Sequence, residues 1–286
     1  MIKSPLRYPG GKSRAVKYLL KFIPEFKEFR EPFFGGGSLS FYYVQENPSA
    51  KFSASDLNYE LYCFWNELKN NKANLIKEIT FIKKSYNNGR NLYEEIMGRR
   101  NDDLSCFQRA VDFFVLNRIT FSGIADSGGY SERSFHERFT DSSIERLEYA
   151  YDVIKHIDFY NVGYEELINK EGKDVFIFLD PPYYSTASSK LYGKNGDLHT
   201  GFDHIEFFET LKKCKHNFLI TYDNDKFIKD LWQDFHQLEW KLQYGMNNYK
   251  RGYCEKGREI LVSNYPLDVF KINTVNILSY QKASAI

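Results

Sequence analysis

The run with the most chemical content is Phe178-Leu179-Asp180-Pro181-Pro182-Tyr183: a carboxylate at the end of an apolar stretch, two prolines and an aromatic ring. Two prolines fix φ and bring no N–H donors, so such a turn offers acceptors to a ligand. The Asp180 carboxylate and the Pro181 carbonyl can together accept both hydrogens of an amino group, while Tyr183 offers a stacking face. That is a pocket for a planar aromatic amine. A second cluster, Arg30-Glu31-Pro32-Phe33-Phe34-Gly35-Gly36-Gly37-Ser38, places three glycines where a strand should end and a helix begin. Glycines there let backbone approach a ligand without interference from Cβ, although a tight strand-to-helix turn uses them equally well. The spacing is neither Gly-x-Gly-x-x-Gly nor a phosphate loop closed by Lys-Ser/Thr, so the nucleotide-like cofactor it suggests is neither NAD nor ATP. Asp56 follows in Ser55-Asp56-Leu57-Asn58, at the distance of about 20 residues where an acid can accept from both ribose hydroxyls of a nucleoside. Capping a helix is its competing role, and one residue can do both.

Each cluster lies at the end of a strand-length apolar run. Such runs at 28–33, 51–55, 156–161, 175–180, 218–222, 238–244 and 259–264 alternate with helix-length amphipathic stretches in the first 60 residues and again after about residue 155. This pattern predicts an α/β fold: a mostly parallel, Rossmann-like sheet with covering helices and a ligand crevice at the carboxyl ends of its strands. Between the two halves, Phe107, Ala110, Val111, Phe114 and Val115 recur at helical spacing, and Gly123, Gly128 and Gly129 mark a turn-rich loop. The expected organisation is a catalytic and cofactor-binding domain from residues 1–60 and 155–265, a mainly helical insertion at 61–154, and a tail at 266–286.

The composition excludes several classes. Among 286 residues, 39 Lys and Arg stand against 38 Asp and Glu, and 42% are hydrophobic. No apolar run reaches the roughly 18 residues of a membrane span. The basic start, MIKSPLRYPGGKSR, leads into no apolar signal region, so a cytoplasmic protein is expected. Cys63, Cys106, Cys214 and Cys254 form no Cys-x-x-Cys pair, and the six histidines show no ligand spacing, so no metal is expected. Charge is uneven: eight Lys and Arg against two Glu in residues 1–30, and five against one in residues 241–258. Two basic patches of this kind can screen phosphates.

Taken in order, these motifs resemble the Dam-type adenine-specific DNA methyltransferases of the alpha group. Pro5-Leu6-Arg7-Tyr8-Pro9-Gly10-Gly11-Lys12 is similar to the family's N-terminal motif, with Tyr8 where Trp is usual. Glu31 to Gly37 resembles its glycine-rich cofactor motif, Asp56 its ribose-binding acid, and Asp180 to Tyr183 its catalytic tetrapeptide. The resemblance spans residues 5 to about 265 and implies a sheet of the S-adenosylmethionine-dependent methyltransferase type with an inserted target-recognition domain. The activity implied is transfer of a methyl group from S-adenosylmethionine to the exocyclic amino nitrogen of a flipped-out adenine in double-stranded DNA, by a monomer or weak dimer without metal. Carried over by position, Asp180, Pro181, Pro182 and Tyr183 are catalytic. Tyr8, Lys12, Glu31, Phe33, Gly35, Gly37, Asp56, Tyr164 and Asp180 hold the cofactor. Asn117 and Arg118, in a segment similar to one near the family's target site, are expected to reach DNA, as are Lys250, Arg251, Lys256 and Arg258 of the second basic patch. The family often has an acid before the ring of Tyr164 to bracket the cofactor's adenine; Gly163 stands there, leaving Asp158 or Glu165 as substitutes. Two alternatives remain: the same chemistry on RNA adenine or on cytosine, against which Asp180 stands where related cytosine enzymes more often carry Ser, and a catalytically silent binding module.

Overall fold

The computed structural model describes residues 1–125, 127–184, 201–242 and 257–269. Seven strands form one sheet: β1 (Glu28–Glu31), β2 (Lys51–Ser55), β3 (Ile157–Tyr160), β4 (Val175–Leu179), β5 (Asn217–Asp223), β6 (His236–Leu242) and β7 (Gly257–Ser263). Their order is β3-β2-β1-β4-β5-β7-β6. The first five are mutually parallel, and β7 runs antiparallel between β5 and β6. All seven apolar runs are therefore strands. The order reverses between β1 and β4, and an open α/β sheet leaves its crevice beyond the carboxyl ends of strands at such a point.

Side-chain alternation explains why both faces of the sheet are covered. In β4, Phe176 and Phe178 join one apolar cluster, while Val175, Ile177 and Leu179 join the other; in β5, Leu219 opposes Phe218, Ile220 and Tyr222 in the same way. A strand buried on both sides reads as a continuous apolar run, as both do here. The first face is covered by α1 (Val16–Leu19), α2 (Ser38–Glu46) and the inserted helices, and the second by α9 (Tyr164–Asn169), α10 (His204–Lys212) and α11 (Lys226–Leu231). Arg30, fully buried on β1, ties the sheet to α9 by donating to the Leu167 carbonyl within the helix and to the Lys170 and Glu171 carbonyls just past it.

Between β2 and β3 stand six helices: α3 (Tyr59–Asn70), α4 (Lys72–Ser85), α5 (Gly89–Arg99), α6 (Cys106–Ile119), α7 (Glu132–Arg138) and α8 (Asp141–Ile154). Asn58, Asn88, Ser105, Ser131 and Thr140 cap α3, α5, α6, α7 and α8 with their side chains, which is why the breaks fall where they do. α6 is the central helix of this group, with every residue from Ala110 to Ile119 buried. Among the described residues no helix is long and apolar enough to cross a membrane.

Candidate active site

Asp180 is the first residue past β4, and two other elements converge on its carboxylate. Lys12, in a 3-10 turn of the N-terminal segment, donates from Nζ to Oδ1 at 2.7 Å and Oδ2 at 2.9 Å, and to the Gly10 carbonyl at 3.2 Å. Thr221 of β5 donates its Oγ1 proton to Oδ1 at 2.6 Å. Lys12 is 4% exposed and Asp180 21%, so this ion pair works largely out of water. The half-buried Tyr183 ring lies with its centroid 5.0 Å from the Lys12 ammonium. Burial and the acids around it push the Tyr183 hydroxyl well above its usual range, so it stays a donor. One of those acids is Glu259 of β7, 1% exposed. A carboxylate oriented by a cation and a hydroxyl, beside an aromatic ring, can hold an amino group and stack its ring.

The glycine turn also makes room for the chain's own side chains. A Cβ on Gly35 would fall 2.7 Å from the Tyr8 ring, and one on Gly37 would fall 2.2 Å from the Phe34 ring. Both glycines also adopt positive φ, 49° and 62°. Their small size thus admits the protein's own rings, Tyr8 across Gly35 and Phe34 under Gly37. The N-terminal motif lies directly on the cofactor motif. Asp56 closes the same turn: Oδ2 accepts from the Gly35 N–H at 2.9 Å and Oδ1 from the Asn58 N–H at 3.0 Å. The capping alternative for Asp56 fails, because Asn58 is the residue that caps α3. Glu31, 3% exposed, accepts from the Ser40 N–H at 3.2 Å and the Ser40 hydroxyl at 2.5 Å, and burial raises its pKa to about 8.

Phe33 and Tyr164 stack at 5.6 Å between centroids, and Phe202 meets both rings at 5.8 Å, making an apolar wall beside the turn. A carboxylate does stand beside position 163. Glu165 Oε2 lies 2.2 Å from where a Cβ on Gly163 would stand, so the carboxylate fills the space an Asp there would use. Asp158 is turned to other work, 68% exposed and paired with Lys69 at 3.2 Å.

The Asn-Arg segment departs most from expectation. Asn117 and Arg118 are each 1% exposed, so they do not face DNA as the sequence suggests. Asn117 accepts from the Arg7 N–H at 3.1 Å and donates to the carbonyls of Arg7 and Gly123 at 2.9 and 2.7 Å. Arg118 donates to the Pro5 carbonyl and sits over the Phe114 ring. Burial, together with the charges of Arg146, Arg7 and Arg138, lowers its pKa to about 9. Both side chains hold the segment that carries Tyr8 and Lys12. Arg7 in turn reaches the Thr120 carbonyl and Ser134 Oγ on α7, one turn before the exposed Arg138. Arg258 is exposed at the start of β7, and Lys250, Arg251 and Lys256 lie outside the described residues.

Sequence reading missed Thr221, Glu259, Arg138 and Arg146. Thr221 and Glu259 carried a signal: each is a polar residue inside an apolar strand run, near the end that opens on the crevice.

Three curated proteins resemble the chain over most of their length. The type II methyltransferase M1.LlaDCHI of Lactococcus lactis is 23% identical, over 91% of this chain and 94% of its own. The DNA adenine methylase of Vibrio cholerae is 26% identical over 67% and 70%, and the type II methyltransferase M.CviBI of a Paramecium bursaria Chlorella virus 24% over 85% and 91%. Residues 8–246 match the family described as D12 class N6 adenine-specific DNA methyltransferase, a stretch that runs from Tyr8 through Asp180 to Thr221. The site and the match therefore coincide, and the chain belongs to the D12 class of N6 adenine-specific DNA methyltransferases.

Proposed function

We propose that the crevice between the ends of β1 and β4 holds S-adenosylmethionine on its β1–β3 side and a flipped-out adenine of double-stranded DNA on its β4 side. The residues fit the cofactor. Asp56 brings a carboxylate to the end of β2 for a ribose, Phe33, Tyr164 and Phe202 make a wall for a purine, and Glu165 supplies an acceptor beside Gly163 for the purine's amino group. Buried Glu31 and half-buried Asp180 suit the cationic end. When bound, S-adenosylmethionine supplies a methyl group on a positively charged sulfur.

The rest of the work falls to the chain. An adenine amino nitrogen is a weak nucleophile because its lone pair is delocalised into the ring. Acceptors on Asp180 and Pro181 that hold both amino hydrogens favour pyramidal nitrogen and aim its lone pair, so orientation and electrostatics carry most of the rate. With the methyl group supplied by the bound cofactor, the amino nitrogen would shed one proton, and Asp180 would be the acceptor in reach. Lys12 and Thr221 hold that carboxylate in a fixed orientation. Extruding the base costs a few kcal/mol, offset by stacking on Tyr183.

Helices α3–α8 are the target-recognition part in this reading, and the arginines near Arg118 contact phosphates. Arg138 and Arg146 are exposed and form no ion pair among the described residues, and with Arg7 they lie beside the segment carrying Tyr8. A cytoplasmic monomer or weak dimer, within a restriction-modification setting like that of type II enzymes, suits the reading. The observation that carries it is the Asp180 carboxylate, locked by Lys12 and Thr221 beside Tyr183 at the switch point of the sheet. Duplex DNA incubated with methyl-labelled S-adenosylmethionine and digested to nucleosides should carry its label in N6-methyldeoxyadenosine. Label in cytosine, or in RNA alone, would overturn the reading.

A further inference from the structure

Glu259 has no task in the transfer described above, yet it sits at its centre. It stands on β7 opposite Asp223 of β5, 1% exposed, and neither carboxylate oxygen makes a hydrogen bond among the described residues. A carboxylate stripped of water and left without donors is costly, and native interiors seldom keep one without a use. The charged and titratable groups facing it are Lys12 of the N-terminal segment, Asp180 and Tyr183 past β4, and Asp223 at the end of β5. Lys12 attracts Glu259 but has no proton left to give. An ammonium has three donors, and those of Lys12 go to Asp180 Oδ1, Asp180 Oδ2 and the Gly10 carbonyl. Asp180 and Asp223 are acceptors. Among these groups the one that faces Glu259 with a hydroxyl to donate is Tyr183.

We infer that Glu259 is a positioning residue of the target-base pocket, whose carboxylate takes the Tyr183 hydroxyl when a base lies on the ring and so fixes the plane on which that base stacks. This rests on the reading of Tyr183 as the stacking ring. The arrangement is pH-sensitive. Burial raises Glu259 to about 7 against the opposing pull of Lys12, so the carboxylate, the stronger acceptor, forms as pH rises through that value.

The test uses the full-length enzyme with duplexes carrying 2-aminopurine at the target base, whose fluorescence reports extrusion and stacking, together with methyl transfer to unmodified duplex from about pH 6 to about pH 8.5. Glu259→Gln and Tyr183→Phe should each lower kcat by about tenfold and change the stacked signal, and the double variant should be no worse than either, because both remove one bond. The wild-type rate should climb through pH 7, and both variants should lose that limb. Multiplying effects in the double variant, or an acid limb that survives in Glu259→Gln, would overturn the inference. Should Glu259→Gln fail to fold, as judged by its melting and cofactor binding, the pH profile of Tyr183→Phe decides alone. Tyr183→Ala separates the two claims. If it alters neither rate nor fluorescence, the stacking reading falls; if it alters both while Glu259→Gln is inert, only the role of Glu259 falls.

Discussion

At the ends of β1 and β2 the acids are satisfied by their own neighbourhood, Asp56 by the N–H groups of Gly35 and Asn58 and Glu31 by Ser40, whereas at the end of β4 Asp180 depends on Lys12, 168 residues away in sequence. The cofactor half of the crevice is thus assembled by a few turns and the sheet. The target half is assembled by closure of the N-terminal segment across the strands, and that segment is itself held by Asn117 and Arg118 of the inserted helices. The insertion and the catalytic pair are therefore mechanically continuous. Damage to either should reach the amino-group pocket and spare the ribose pocket.

Lys12→Ala should break this contrast most severely. It strands the Asp180 carboxylate in a largely dry site, with an expected loss of about 3 kcal/mol in stability and about a hundredfold in transfer rate. Denaturant unfolding and single-turnover kinetics read the two effects. Next comes Arg118→Ala, which leaves the Pro5 carbonyl without its donor and a void beside Phe114, at a cost of roughly 2 to 3 kcal/mol in unfolding free energy. Relative methylation rates on a panel of single-base-substituted duplexes should keep their ranking. A loss of discrimination instead would return Arg118 to base reading.

The same contrast explains what was legible in the sequence. All seven strands announced themselves as apolar runs, and Asp180, Asp56 and Tyr183 as chemistry at strand ends. The antiparallel setting of β7 did not, since an apolar run has no direction. Asn117 and Arg118 were carried over by position from a segment near the family's target site, and position alone does not reveal burial; only the fold shows Arg7 and Pro5 lying against them. The packing of Tyr8 and Phe34 against the glycines was not legible, since a Gly triplet looks the same whether it makes room for a ligand or for a ring of the chain itself. The space left by Gly163 is occupied by the Glu165 carboxylate, and the sequence alone does not place it there rather than Asp158.

On the cofactor side the expected effects are smaller. Asp56→Ala should weaken S-adenosylmethionine binding by about 2 kcal/mol, and Glu165→Ala by about 1 kcal/mol, with the second loss absent for a cofactor analogue whose purine lacks the amino group. Calorimetric titration distinguishes them, and equal loss for both cofactors would remove Glu165 from adenine recognition. Smallest at any one salt concentration is the effect of Arg138→Ala or Arg146→Ala. Each should weaken cognate and altered duplexes alike and reduce the slope of log affinity against log salt by about 0.9. A slope unchanged in both variants would move the phosphate track elsewhere.

Asp180→Ala tests the central claim most directly, because it removes the acceptor that grips the target amine and leaves Asp56, Phe33, Tyr164 and Glu165 in place. Calorimetry and a nucleoside-resolved transfer assay on the same folded preparation should show S-adenosylmethionine bound within a few-fold of wild type and N6-methyldeoxyadenosine formed at least about a hundredfold more slowly. Cofactor binding abolished, or adenine methylated at the wild-type rate, would contradict the assignment of the amine pocket to Asp180.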